Sequence, residues 1–446
     1  MLRFNTIVYA TIFALGLLAT GAAANDAIPG ADQSQPIALT GGAIHTVSGL
    51  VIENGMLLFD KGRIVAVGKK VDVPQGAKKI DVDGKHVYPG LFAAHTNLGL
   101  TEISAVRATR DIEETGLINP NSRAETAVNP DSELIPVTRS NGVMLAISTP
   151  DGGLLPGTSA VLQLDGWTWE DMTLKAPTSM HIHWPNMTPV DAWWIEQSKT
   201  EQIKHRDEQL VTLRRTFQDA RAYWTAKRAG AEGRGPAVSH DARWEAMIPV
   251  LNGELPVIVD ADRAEQIQAA VAFAVEQQIK LIILGGYDAP YCAELLKQHG
   301  VPVIVSAVYR LPLRRSDPYD TPFTVAERLR TAGVKYCIAG GNRFSTANCR
   351  NLPYHAATAA AFGLPRDEAL RAVTLYPAQI LGVADRVGSL EAGKDATLFI
   401  ADGDILETPT LVETAFIQGR HVDLSDRHKR LWKKYQEKYR RQESTE

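Results

Sequence analysis

Two kinds of hydrophobic pattern alternate along this chain. Between positions 36 and 86, and again between 386 and 424, apolar and polar residues alternate over short runs. Examples are IALTGGAIHTVSG, MLLFDKGRIVAVGK, AKKIDVDGKHV and VETAFIQGRHVDL. Turn signals separate the first of these runs: Gly41-Gly42, Asp60-Lys61-Gly62 and Asp83-Gly84. A period of two between such turns predicts half-buried antiparallel strands. From about 89 to 385 the pattern changes. VMLAIS, LPVIVDA, KLIILGG, VPVIVSA and VKYCIAGG are continuous apolar runs. They predict parallel strands covered on both faces. Helical stretches such as RAEQIQAAVAFAVEQQ and APYCAELLKQHG lie between them. A strand–helix rhythm of this length predicts an α/β fold, either a (β/α)8 barrel or a doubly wound sheet.

A long charged helix is expected over 195–230, with Leu210, Leu213, Phe217 and Trp224 on one face. The C-terminal stretch DRHKRLWKKYQEKYRRQESTE reads as a basic amphipathic helix carrying Leu431, Trp432, Tyr435 and Tyr439. Its aromatic face is expected to dock onto the barrel, with a membrane-surface role as the alternative.

The N-terminus reads as a leader. Arg3 precedes the apolar run TIVYATIFALGLLATG, and Ala22-Ala23-Ala24 offers a small-residue cleavage site before Asn25. An exported protein, periplasmic or secreted, is expected. The 446 residues carry a net charge of −4, so no nucleic-acid partner is expected, and since no other segment is long and apolar enough to span a bilayer, no membrane partner is expected once the leader is removed. Cys292, Cys337 and Cys349 lack zinc-type spacing. A disulfide between two of them and three buried thiols both remain open.

The entry into the apolar middle is YPGLFAAHTNLGL, and its exit is ALRAVTLYPAQILGVADRVGSLEAGKDATLFIADGD. Together with the two flanking β segments, these stretches resemble the amidohydrolase superfamily, and most closely its imidazolonepropionase-like branch. The resemblance implies a (β/α)8 TIM barrel with a small composite β-sandwich built from both ends of the chain. The expected division is a leader at 1–24, sandwich at 25–88, barrel at 89–385, sandwich again at 386–424 and the basic helix at 425–446.

The resemblance also implies chemistry. Hydrolases of this superfamily hold one or two divalent metals, zinc or similar, at the C-terminal mouth of the barrel. His-x-His on the first strand, a mid-barrel lysine or acid, one histidine on each of the fifth and sixth strands and an aspartate on the eighth serve as ligands. The metal makes hydroxide available near neutral pH, and the aspartate takes the proton.

Matched residue by residue, this chain departs from that set. His95 keeps the first imidazole and Asn97 replaces the second. Asp260 stands for the fifth-strand histidine and Gly285 for the sixth. Gly341, or Asn342 if the register moves by one, stands for the aspartate. A neutral amide oxygen is a poor zinc ligand beside imidazole, and glycine offers no side chain. One further His-x-His, His181-Ile182-His183, puts two imidazoles on one face of a strand. Either His181 or His183, with His95 and Asp260, defines a rebuilt metal set of two nitrogens and one oxygen. The bland alternative is a pair of histidines bonded to their neighbours.

His95 and Asp260 are therefore the candidate catalytic acid and base. Arg310 and Arg314, in YRLPLRRSDPYD after the seventh strand, are candidates for binding a substrate anion together with Asn97. His355 reads as structural. The expected function is that of an exported amidohydrolase-like protein acting on carbon–nitrogen bonds other than peptide bonds, with a small amide or cyclic amide as substrate and a divergent or lost metal site. The competing reading is a non-catalytic relative, a binding protein or the silent subunit of a hetero-oligomer with an intact paralogue. Homo-oligomers also remain open.

Overall fold

The computed structural model describes residues 27–341 and 346–443. The leader expected at 1–24 and Asn342 lie outside the described residues.

The alternating N-terminal runs form five strands: β1 Ile37–Ile44, β2 Ile52–Asp60, β3 Arg63–Gly68, β4 Lys78–Asp81 and β5 His86–Pro89. Eight strands follow: β6 Leu91–Thr96, β7 Val143–Ser148, β8 Gly157–Gln163, β9 Thr173–His183, β10 Val257–Ala261, β11 Leu281–Gly285, β12 Val303–Val305 and β13 Tyr336–Ile338. The last three are β14 Leu398–Ala401, β15 Val412–Ile417 and β16 Arg420–Val422.

Both ends of the chain build one sheet, in the order β16-β15-β14-β5-β1-β2-β3, with β4 beside β1. The junction is antiparallel pairing of β14 with β5, from Leu398 opposite Pro89 to Ala401 opposite His86. Inward residues of both contributions, including Leu39, Leu57, Phe59, Val87, Leu398, Ile400 and Phe416, make a separate apolar core. Neither half can bury such a face alone.

The second sheet runs β13-β12-β11-β10-β9-β8-β7-β6 and curls into a barrel. Alternate residues fill its interior: Phe92 and Ala94, Leu145 and Ile147, Ile282 and Leu284, with Val161, Ile258, Ile304 and Cys337. The intervening residues pack outward against the helices. The eight-stranded barrel of the resemblance is present, with one local difference. Strand β8 runs antiparallel to both β7 and β9. The connection from Ser148 to Gly157 is too short for a parallel crossover, which needs about a dozen residues, so the chain folds back as a hairpin.

The long helix spans Lys199–Ala231 and buries Leu213 and Phe217 from the expected face. Cys292, Cys337 and Cys349 are free, buried thiols. The expected docking of the C-terminal helix is corrected. Arg427–Glu443 forms a helix that buries no residue, and Leu431, Trp432, Tyr435 and Tyr439 are all exposed. Among the described residues its side-chain bond to the body lies at its start. Asp426 accepts from the backbone N–H of His428 and Lys429 at 2.7 and 3.0 Å, and Arg430 reaches Glu133 at 3.0 Å. Amphipathic spacing identifies a face but not the surface that covers it.

Candidate functional site at the barrel mouth

A cavity of about 620 Å³ opens at the C-terminal ends of the barrel strands, and His95, Asn97, His181, His183, Asp260 and Arg310 all line it. This is the end at which barrels of this type carry their chemistry. The first strand reaches it by an irregularity. Phe92 and Ala94 point into the barrel, which by strict alternation would turn His95 away. The pairing of β6 with β7 shifts between Ala93 and Thr96, where three steps on one strand match two on the other. That bulge reverses the parity and brings His95 and Asn97 to the mouth.

On the fourth and fifth strands the register is regular. His181 lies beside Ile258 and His183 beside Asp260. Asp260 in turn lies beside Leu284, and Ile258 beside Ile282. The mouth therefore carries a layer of His183, Asp260 and Leu284, with His181, Ile258 and Ile282 one layer below. Neighbouring strands stand about 4.8 Å apart, so His183 and Asp260 sit side by side in the register.

Each histidine has a different environment. His181 is buried, and its Nε2 meets Ser159 Oγ at 2.8 Å. The Ser159 hydroxyl donates to the Ser179 carbonyl at 3.4 Å, which leaves its oxygen to accept from His181 Nε2–H. Burial, then the nearby His95 and His183, hold this imidazole well below its ordinary pKa, so it is neutral. His183 is half-buried. Its Nδ1 lies 3.2 Å from the Gly153 carbonyl and its Nε2 lies 3.3 Å from Asp151 Oδ1. A protonated ring satisfies both acceptors at once. Asn97 is buried, and its Nδ2 donates to the Thr149 carbonyl at 2.7 Å. Its Oδ1 has no hydrogen-bond partner among the described residues, and neither has Thr149 Oγ1. Both residues line the cavity.

The two candidate arginines part company. Arg310 lines the cavity, binds Asp262 Oδ2 at 2.8 Å and stacks over the Tyr287 ring at 5.2 Å. Arg314 does not line it. Its guanidinium makes a two-pronged bond to the buried Asp288, one arm at 3.0 Å, which fixes the loop after the seventh strand. His355 is structural. It is buried, its Nδ1 accepts from Val308 N at 3.3 Å, and burial pulls its pKa down to about 4.

The donors share one mouth, but among the described residues no three His, Cys, Asp or Glu side chains stand so as to hold an ion. The sixth strand ends at Gly285 with φ +102°, and a Cβ added there would meet Asp262 Oδ1 at 2.9 Å. Three residues past the eighth strand, Gly341 donates its N–H to the Ser306 carbonyl at 2.6 Å. Sequence reasoning missed Asp151, Asp262, Thr149 and Ser159. Asp151 and Asp262 each lie just past the end of a barrel strand, and that position was the signal available for them.

Chemically, the mouth offers the Asp260 carboxylate and the His95 imidazole in one cavity. Such a pair can take a proton and deliver another. The Asp262–Arg310 pair lies on the same rim.

Comparison with known proteins agrees with this architecture. The sequence profile of the amidohydrolase family matches residues 292–422. An imidazolonepropionase of Mesorhizobium japonicum is 25% identical over 405 residues, which cover 87% of this chain and 94% of that protein. The amidohydrolase tasK of Hapsidospora irregularis is 23% identical over 389 residues, covering 82% of this chain but only 39% of that longer protein. The crystal structure of an amidohydrolase from Thermotoga maritima superposes with a TM-score of 0.76 at 22% identity, covering 87% of this chain and 99% of that one.

Proposed function

From the premise that this chain belongs to the amidohydrolase superfamily, on its imidazolonepropionase-like branch, we propose that it hydrolyses a carbon–nitrogen bond, other than a peptide bond, in a small amide or cyclic amide seated at the barrel mouth, and that its metal site is divergent. Enzymes of this family usually use a divalent metal. The residues present here do not fit that ion. The sixth-strand position is Gly285, whose backbone leaves no room for a side chain. His181 Nε2 is committed to Ser159, and both nitrogens of His183 face other acceptors. Asn97 has tied its amide to Thr149.

The observation that carries the catalytic reading is that His95 and Asp260 line one cavity, with His183 beside Asp260 in the strand register. Asp260 takes a proton from the attacking water. His95, on the same cavity wall, gives a proton to the departing nitrogen, while His183, held by Asp151 and the Gly153 carbonyl, stands beside Asp260 in the strand register. Arg310 offers its guanidinium to a substrate carboxylate by exchanging its bond to Asp262. The apolar run and alanine triplet near the N-terminus support export to the periplasm or beyond.

The test is metal analysis of protein purified without chelator, with rates on a panel of N-acyl amino acids and cyclic amides. The expected result is substoichiometric metal, with turnover that survives chelator and falls by about 100-fold in Asp260→Asn. Stoichiometric bound metal together with turnover abolished by chelator would overturn the reading.

A second reading has its own support. Gly285 ends the sixth strand and Gly341 follows the eighth, the two strands from which the resemblance draws a histidine and an aspartate, while the scaffold is retained. On that reading the chain is the silent partner of an intact paralogue. Absence of turnover across the panel, with co-purification of a second barrel protein, would favour it.

A further inference from the structure

We propose that the helix Arg427–Glu443 is a docking element for an anionic phospholipid surface. It is attached to the body at its first turn and offers the rest of its length to the surroundings. After Arg430, every residue up to Glu443 except Glu437 is exposed, and the side-chain bonds of Arg440 and Arg441 run back to Glu437 within the helix.

Three observations identify the occupant. First, at 3.6 residues per turn Leu431, Trp432, Tyr435 and Tyr439 fall within an arc of about 100°. They are 41%, 61%, 49% and 57% exposed, so the arc is uncovered along its whole length. Trp and Tyr, with one apolar body and one polar edge, are the residues that settle at a lipid–water boundary. Second, the helix carries eight Lys and Arg residues and two Glu. The basic residues occupy the opposite face and one flank of the aromatic arc, and Gln436 and Glu443 occupy the other flank. Lys438 lies over the rings of Tyr435 and Tyr439, 5.9 and 5.4 Å away. A long basic stem lying along an aromatic face keeps its ammonium at headgroup height when the face is down. Third, no helix among the described residues is long and apolar enough to cross a membrane. The helix therefore lies on the surface rather than through it, and charge supplies much of its affinity. This revises the expectation of no membrane partner.

The test uses the full chain, and in parallel the chain beginning at Asn25, so that the apolar run before Ala22 cannot masquerade as the helix. Vesicles of phosphatidylcholine with about 30% phosphatidylglycerol are compared with pure phosphatidylcholine by co-sedimentation. In both forms of the protein, the anionic vesicles should bind at least about tenfold tighter, and about 0.5 M salt should remove most of that difference. Trp432→Ser with Tyr439→Ser, and separately Lys433→Glu with Lys434→Glu, should each weaken binding about tenfold without lowering the melting temperature. Equal binding to both vesicles, or binding unchanged by these substitutions, would overturn the proposal. So would light scattering that shows a dimer dissolved by Trp432→Ser, since the aromatic face would then belong to a second copy. Tighter binding to a single-stranded oligonucleotide than to anionic vesicles would overturn it as well.

Discussion

Placing at Gly285 the histidine that the family resemblance expects there is the most direct challenge to the proposed divergent site, and the structure says what it should cost. Gly285 adopts φ +102°. A side chain in that region costs about 1–2 kcal/mol in backbone strain. The added Cβ would stand 2.9 Å from Asp262 Oδ1 and 3.2 Å from the Ala261 carbonyl. Asp262 cannot yield freely. Its Oδ1 accepts from Tyr287 N at 3.2 Å and its Oδ2 from Arg310 at 2.8 Å. Losing one charge-assisted bond of this kind costs about 1.5–3 kcal/mol. The expected destabilisation of Gly285→Ala is therefore about 3–5 kcal/mol. Gly300 supplies the control, because it also has positive φ, +63°, but a Cβ there meets nothing within 4 Å. Gly300→Ala should cost about 1 kcal/mol. Urea unfolding of the two variants at neutral pH reads the difference, which isolates the collision with Asp262. Gly285→His should lose as much stability as Gly285→Ala and should retain less than about 0.1 equivalent of zinc after dialysis. Equal destabilisation at 285 and 300, or a Gly285→His protein that holds one zinc tightly, would refute the reasoning.

Other outcomes follow from the same geometry. His45 and His355 are both pulled down to about 4, by burial first and, for His45, also by His86. Both are neutral when folded and have the ordinary value of about 6.5 when unfolded, so the stability they contribute is present above pH 6.5 and is lost as pH falls toward 4. Between pH 7.5 and 5 each should remove about 2 kcal/mol, measured by urea unfolding. His355→Asn, which keeps an acceptor for Val308 N, should abolish its share. Half-buried Glu102, whose carboxyl is raised by partial burial, works in the opposite direction, so the difference between wild type and variant is the quantity to follow. Arg314→Ala leaves the buried Asp288 without its guanidinium and should cost about 2 kcal/mol in stability with no loss of ligand binding at the mouth. Arg310→Ala should instead raise KM about tenfold for carboxylate-bearing amides and leave uncharged ones unaffected.

Most of the scaffold was legible because it rests on period and length. The continuous runs at 281–285 and 303–305 are strands buried on both faces, and the alternating runs at both ends close one sheet. The reversed direction of β8 depends on a connection length that apolar runs do not display. Within the mouth, His181 and His183 were legible as a pair because they lie two residues apart on a regular strand. Delivery of His95 to the same cavity depends on a bulge against β7, a property of two strands together. Asp151 and Asp262 escaped notice because each acts through a partner distant in sequence, His183 and Arg310. Arg314 shows the converse. Its place after the seventh strand suggested ligand binding, but an aspartate 26 residues earlier holds it. The C-terminal helix was legible as an amphipathic element, whereas its lack of cover was a fact about the rest of the molecule.

The pairing of β14 with β5 has a consequence for how the molecule comes into being. The two strands are separated by roughly three hundred residues, and loops of that size close late. Until the final tenth of the polypeptide has emerged, β5 keeps a bare row of amide and carbonyl groups beside an incomplete apolar layer. A nascent or prematurely terminated chain ending before Leu398 would thus present a ready template for strand addition by its neighbours. Such fragments should accumulate as insoluble material rather than as a soluble barrel.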